Sequence, residues 1–514
     1  MHAAVGRIME DTHNMLKDRI RNTHLLSKIV SAEEAALMIK DDMTVATSGF
    51  TPSGYPKAVP LALAKRVRET GEKLRIALYT GASVGEELDG ALAEAWIISR
   101  RLPYQTCGSL RESINAGECE YLDMHLSHVP QYIRYGFLGK VDIAIIEAVA
   151  ITEEGHIVPS TSIGCSPTYV NAAEKVIVEI NTSQALALEG MADIYTPKAP
   201  PDRKPIPLTK VDQRIGTTYI PCKPEKIAAV VITDIEDNAS PLAPVDTASM
   251  QISGYLLDFL EQEVRHGRLP ENLLPLQSGV GSVANAVLGG LLESGFEKLL
   301  CYTEVIQDSM LELLDAGKVL FASGTAITPS PEGLKRFNDG ISFYRDRILL
   351  RPQEISNHPE IIRRLGVISV NTAVEADIYG NVNSTNIMGS RMMNGIGGSG
   401  DFTRNAYISV FTTASTAKNG FISSIVPMVS HHDHTEHDVM ILITEQGIAD
   451  LRGLSPKERA RVIINNCAHP DYKPMLWDYF RRAQEGKYRH TPHLLREALL
   501  WHAKYMENDT MKLG

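Results

Sequence analysis

Three segments of the N-terminal half recur, in the same order, in the C-terminal half. Ser48–Leu63 (SGFTPSGYPKAVPLAL) resembles Gln277–Leu291 (QSGVGSVANAVLGGL), each a glycine-rich turn running into an Ala/Leu helix pattern. Glu147–Thr161 (EAVAITEEGHIVPST) resembles Asn371–Thr385 (NTAVEADIYGNVNST), and Ile163–Asn181 resembles Ile396–Thr413. One such pair is chance; three in register point to a duplicated unit. The chain of 514 residues has room for this, at roughly 100–200 residues per domain.

The repeated unit is of α/β type. Met43–Phe50, Leu74–Ser83, Val141–Ile151 and Glu174–Asn181 are apolar runs of the kind that parallel strands bury on both faces. Helix patterns such as Tyr55–Gly71 lie between them, and that alternation predicts an open α/β sheet. Tyr195–Pro207 then carries Pro197, Pro200, Pro201, Pro205 and Pro207, which exclude a helix or a central strand. We read it as a linker, with a boundary near 195–226. The alternation resumes at Lys226–Ile235 and continues through Lys298–Ile306, Val367–Gly380, Ala406–Ser415 and His437–Gly447. Ser455–Leu513 has helical periodicity. The expected organisation is a polar arm over 1–24, an N-terminal domain over 25–225 and a C-terminal domain over 226–514.

Composition narrows the function. A net charge of −11 argues against a nucleic-acid groove or an anionic membrane surface as partner. No run of 18 apolar residues is present, so no membrane span is expected. Cys107, Cys119, Cys165, Cys222, Cys301 and Cys467 are scattered without a CxxC, unlike a disulfide framework or a zinc knuckle. The first residues lack the apolar core of a signal peptide, and a cytoplasmic protein is expected.

Gly279-Val-Gly281-Ser-Val-Ala284 and Gly395-Ile-Gly397-Gly-Ser-Gly400 fit loose dinucleotide patterns. Either could cradle an anion at a helix N-terminus, or be a tight turn. Neither opens a first βα unit, which argues against a nicotinamide dehydrogenase. Glu304 ends an apolar run and precedes a helix pattern, so it could be a base, a nucleophile or, as position alone favours, a helix-terminal partner. His431, His432, His434 and His437 crowd one segment but lack HExxH or a neighbouring cysteine, and read as a polar loop; no metal is expected. His469 and His493, beside prolines, read as turn or packing residues. Cys301 reads as a small core residue.

Taken together, Gln277–Ala286, Tyr302–Asp308, Glu375–Asn383, Met393–Phe402, Ile443–Gly447 and Asp450–Ser455 resemble the class I CoA-transferases of the acetyl-CoA hydrolase/transferase family. Within that family the likeness is to the succinyl-CoA:acetate (propionate) CoA-transferases, and it runs from about Arg21 to the C-terminus. The resemblance implies two tandem CoA-transferase-type α/β domains and a homodimer. It implies that Glu304 is a covalent nucleophile, passing through an acyl-glutamyl anhydride and a glutamyl-CoA thioester. Val280 and Gly398 would supply the oxyanion amides. Gly279, Val280, Gly281, Ser282, Val283, Val374, Asn394, Gly398 and Lys418 would contact CoA, with Lys418 near a phosphate. Asn357 and Glu445 would orient Glu304. Coenzyme A would be substrate and covalent intermediate, with no permanent cofactor, and the partners would be short acyl-CoAs and short carboxylic acids. An acetyl-CoA hydrolase in the same fold is the alternative, because nucleophile and amides would be shared. Arg391, Arg404 and Arg452 lie near the motifs, and each could meet a second substrate carboxylate or equally be structural.

Overall fold

The computed structural model describes residues 16–83, 85–239, 241, 244–279 and 281–512. Contacts divide the chain into two units: Met1–Pro241 with Thr303–Asp308 and Ala322–His358, and Leu242–Tyr302 with Ser309–Phe321 and Pro359–Gly514.

The apolar run at 141–151 becomes Ile143–Ile151, a central strand of the first unit with every residue buried. Across this sheet the order is Ile227–Thr233, Lys175–Asn181, Ile143–Ile151, Thr44–Thr47, Ile76–Tyr79, Ile98–Leu102 and Glu120–Tyr121, all parallel. Burial on both faces explains why these runs are continuously apolar rather than alternating. In the second unit Leu299–Tyr302, Leu276–Ser278, Ile368–Thr372, Ile408–Thr412 and Ile441–Thr444 follow in that order, parallel, with Gly447–Asp450 antiparallel at the edge. In both units the first two strands in chain order lie side by side, and three later parallel strands follow outward beside the first. The order is the one a duplicated α/β unit requires.

Three details depart from the sequence reading. The first unit runs past residue 225, because Ile227–Thr233 pairs with Lys175–Asn181, and it takes in Glu304 from the later half. The proline-rich stretch has no helix or strand, yet it is not a loose tether. Ile206, Leu208, Val211 and Ile220 are buried, and Arg351 donates to the Val211 and Gln213 carbonyls at 3.1 and 2.7 Å. The expected arm is docked along its described part: Arg19 bonds the Val149 and Gln184 carbonyls at 3.0 and 2.9 Å, and Ile20 pairs with Ile151.

The helix Ala58–Thr70 shows how the first unit closes its sheet end. Gly71, at φ +66°, ends it in the left-handed conformation that glycine adopts freely. At its start the Glu179 carboxylate accepts from the amides of Lys57, Ala58 and Val59 at 2.8, 3.1 and 2.7 Å. Those donors have no partner within the helix, so a buried anion satisfies them and the helix dipole together. Beside it the Lys57 ammonium contacts Glu147 at 2.5 Å and Asp237 at 2.8 Å, with all three side chains 3% exposed or less. Burial alone would lower the Lys57 pKa, but the two carboxylates raise it, and the lysine stays charged. Removing it strands two buried acids. Lys57→Met is expected to destabilise the protein by about 3–5 kcal/mol, read as an earlier transition in urea unfolding, with Lys57→Met/Glu147→Gln recovering part of the loss.

Candidate active site

Glu304 stands where the strand Leu299–Tyr302 ends and Val305–Ile306 begins. Its carbonyl accepts two amides, Thr325 at 2.7 Å and Ala326 at 3.2 Å, so its backbone is fixed on one side. Gly324 eases the approach here: a β-carbon would come to 3.1 Å of the Glu304 carbonyl oxygen, a tight contact. The helix that follows begins at Asp308, whose own carboxylate holds Ser330 N at 2.8 Å and Ser330 Oγ at 2.6 Å. Glu304 is therefore not the helix-terminal acid that position alone favoured.

Below that backbone lies a cluster of Phe50, Ala82, Leu126, Val305 and Ala326, with Tyr104 packed on it. Glu304, next to Val305 of that cluster, is itself half-buried. Burial pushes the Glu304 carboxyl up to about 7, against the pull of a hydrogen bond from Asn357. Burial, and then the Glu304 charge, push the Tyr104 phenol up to about 12, placing Tyr104 within electrostatic reach of the acid.

The Asn357 amide donates to Glu304 Oε1 at 2.8 Å, while its Oδ1 accepts from Ser356 Oγ at 2.9 Å. The serine thus settles which way the amide faces. Asn357 closes the short helix Gln353–Ser356, and that helix is tied at several points. Gln353 bonds the Gly164 carbonyl through its amide at 2.9 Å and the Leu126 carbonyl through its side chain at 2.9 Å. Glu354 takes both guanidinium nitrogens of Arg134, one at 2.7 Å. Arg351, just ahead of the helix and fully buried, pairs with Asp193 and bonds Ser323 Oγ at 2.7 Å. Ser356, Glu354, Arg134 and Tyr104 were not picked out from the sequence. Arg134 and Glu354 lie 220 residues apart, and no local pattern joins them.

The other candidate residues belong to the second unit. Gly279 N donates to the Val370 carbonyl at 3.1 Å, and Gly281, at φ +108°, starts the helix Ser282–Glu293. Ser282 Oγ meets Ser249 Oγ at 3.1 Å, and Val283 is half-buried in the first turn. Val280 lies outside the described residues. No acid stands in the first turn of this helix and no side chain caps it. The contrast with the first unit is informative. There Glu147 and Glu179 face each other across the sheet; at the matching register of the second sheet stand Asn371 and Phe411. Among the described residues, the internal anion that fills the first helix start has no counterpart at the second.

Val374 N bonds the Asn383 carbonyl at 2.8 Å, and the Asn394 amide bonds the Ser384 and Gly395 carbonyls at 3.3 and 2.8 Å. Gly398 caps the helix Ser399–Thr403 and is buried. Lys418, at φ +51°, is exposed at the tip of the hairpin Thr416–Ala417/Ile422–Ser423. Glu445 accepts from Ser415 N at 2.7 Å and from Gln446 Nε2 at 3.0 Å. Of the two orienting residues, Asn357 is the one seen on Glu304.

Arg452 forks onto Glu263 at 2.9 Å through each nitrogen and also binds Asp450, which commits it to structure. Cys301 is fully buried and its thiol is pushed up to about 12, as befits a core residue. His493 packs edge-on to Tyr379 and bonds Tyr479 at 2.9 Å. Among the described residues no group of three or more His, Cys, Asp or Glu is placed to hold a metal ion, and no helix is long and apolar enough to cross a membrane.

Two family models match the chain: the acetyl-CoA hydrolase/transferase N-terminal domain over residues 13–232 and the C-terminal domain over 333–480. The chain is 62% identical to the succinyl-CoA:acetate CoA-transferase of Clostridium kluyveri, over 96% of this chain and 92% of that one. It is 48% identical to the acetyl-CoA hydrolase of Candida glabrata, over 97% and 98%. The crystal structure of RipA from Yersinia pestis shares the fold, with a TM-score of 0.68 at 22% identity over 92% of this chain and 99% of that one.

The Asn357 bond favours the charged form of Glu304, so Asn357→Ala is expected to move the titration of this carboxyl above about 7, read by infrared difference spectroscopy across pH. Stability follows the same titration. The folded carboxyl titrates above its ordinary value of 4.5, so the stability of the wild type declines as pH rises through about 7. Glu304→Gln is expected to melt higher than the wild type above pH 7 and to lose that advantage below pH 4.5, in thermal scans across pH.

Proposed function

The chain belongs to the acetyl-CoA hydrolase/transferase family, and on that premise we propose that it moves CoA from succinyl-CoA, or another short acyl-CoA, to acetate or a similar short carboxylic acid. The observation that carries the reading is the Glu304 carboxylate: half-buried, held by the Asn357 amide and raised by burial to about 7. Such a group is charged at neutral pH in useful proportion, yet poorly solvated, which suits a nucleophile.

The chemistry runs in four attacks. Glu304 adds to the acyl-CoA carbonyl and CoA thiolate leaves, giving an acyl-glutamyl anhydride. The thiolate adds to the glutamyl carbonyl, giving glutamyl-CoA and the free acid. The acceptor carboxylate adds to glutamyl-CoA and expels the thiolate again. The thiolate then adds to the new acyl carbonyl, releasing its CoA ester and regenerating Glu304. Each attack makes a tetrahedral oxyanion, for which the amides of Val280 and Gly398 are the proposed donors, each worth about 3–4 kcal/mol of barrier. The Gly398 amide, buried and with no acceptor among the described residues, supports that role. Gly279, Gly281, Ser282, Val283, Val374, Asn394 and Lys418 contact CoA, and the exposed Lys418 ammonium suits a phosphate. Glu445 is the second residue proposed to orient Glu304.

The same reading gives a duplicated chain whose two halves are the domains of the family, a cytoplasmic location and a homodimer. The described cysteines are all free thiols, which supports the cytoplasm. Acetyl-CoA hydrolysis is the alternative, and the higher identity to the transferase weighs against it.

The test is intact-protein mass spectrometry after mixing with succinyl-CoA or acetyl-CoA without acceptor. The expected result is an adduct of CoA minus water, mapped to the peptide holding Glu304, discharged by acetate and absent in Glu304→Ala. CoA released at full rate with no acceptor and no adduct would replace the transferase with the hydrolase.

A further inference from the structure

The histidine-rich segment 431–437 has no part in the chemistry above, but the structure places one member, His434, behind the Gly398 loop. The residue is 3% exposed, and its ring packs against Phe411 at 4.8 Å between centroids. Its backbone pairs with Val382, giving and taking hydrogen bonds at 3.0 and 2.8 Å. Its neighbour Asp433 accepts from Ser384 N at 2.6 Å and from Thr385 Oγ1 at 3.0 Å. The segment is thus bolted to residues 382–385, and the His434 side chain reaches forward from that anchor. His434 Nε2 lies 3.1 Å from Ser399 Oγ and 3.4 Å from Ser384 Oγ.

The direction of the first bond follows from the serine. Ser399 Oγ gives its only proton to the Ile396 carbonyl at 2.7 Å, so it can only accept from the ring. His434 therefore carries a proton on Nε2. The bond pins Ser399, and through it the carbonyl of Ile396, on both sides of Gly397–Gly398. Gly397 sits at φ +59°, in a stretch where glycines leave the backbone little stiffness of its own. Residues near the N-terminus of so short a helix cannot rely on the helix to fix them.

We propose that His434 is a positioning residue that holds the Gly398 amide in place through Ser399, so that the amide meets the oxyanion at hydrogen-bond distance. This rests on the reading of Gly398 as an oxyanion donor. Such donors act by being preset, and an amide that wanders forfeits part of its effect on the barrier while leaving ground-state binding alone.

The test is steady-state kinetics of the purified full chain in the wild type, His434→Phe, His434→Gln, Ser399→Ala, the double variant Ser399→Ala/His434→Phe, and Gly398→Pro. His434→Phe keeps the ring and loses the donor; His434→Gln keeps a donor of similar reach. We expect His434→Phe and Ser399→Ala each to lower kcat about tenfold with KM for the acyl-CoA within about twofold. The double variant is expected to be no slower than either single variant, because both break one bond, and His434→Gln to return to within about threefold of the wild type. A structural role alone would lower the melting temperature without that split, rescue and non-additivity. Multiplying effects in the double variant, or wild-type kcat in Ser399→Ala, would overturn the proposal even if His434→Phe failed to fold. Gly398→Pro separates the two levels. Wild-type kcat there removes the oxyanion role itself; a collapse there with full activity in His434→Phe removes only the positioning role.

Discussion

Keeping a carboxylate charged and keeping it from water oppose each other, since removing water penalises the charge. The surroundings of Glu304 are a compromise between them. Burial disfavours its charged form, and a neutral amide from Asn357 returns enough stabilisation for the carboxylate to form near neutrality. A cation in place of that amide would hold the charge more firmly and draw the titration back toward the ordinary carboxylate range. The amide must therefore be placed by packing rather than by charge attraction, and the ties on Gln353–Asn357 serve that end. The strong ion pairs of this region, Arg134 to Glu354 and Arg351 to Asp193, are kept off Glu304 itself and spent on the element that presents Asn357.

The same economy separates the two halves. Each has a strand, a glycine turn and a helix start at the carboxyl end of its sheet. In the first half a carboxylate of the protein occupies that start, and a buried lysine balances the acids around it. In the second half Phe411 and Asn371 stand at those places, and among the described residues no side chain caps the helix start. The two halves thus share a scaffold and differ in whether a carboxylate of the protein stands at that helix start.

Much of the fold could be read from the chain because parallel strands buried on both faces leave long Val/Ile/Ala runs, and Ile143–Ile151 and Lys175–Asn181 fall within the runs that announced them. The glycine loops and Glu304 were visible for a related reason, since sharp turns at strand ends need specific residues. What escaped was set by contacts between distant positions. Prolines forbade regular structure over 195–207 but said nothing of the buried Ile206 and Leu208, whose surroundings come from elsewhere in the chain. Tyr104, Ser356 and Arg134 have ordinary local contexts. The histidines at 431–437 looked like a solvated loop because charged neighbours flank them, and only the antiparallel pairing with Val382 turns His434 inward.

The plugged helix start of the first half has a consequence for how the chain counts its ligands. A protein built of two like halves would ordinarily be expected to bind twice, with the chance of one half informing the other. Here the resident carboxylate of Glu179 is a permanent competitor at one of the two places, tethered and at effectively saturating concentration. An anion arriving at that helix start meets a place already filled, so repeating the fold does not by itself double the helix starts able to accept one.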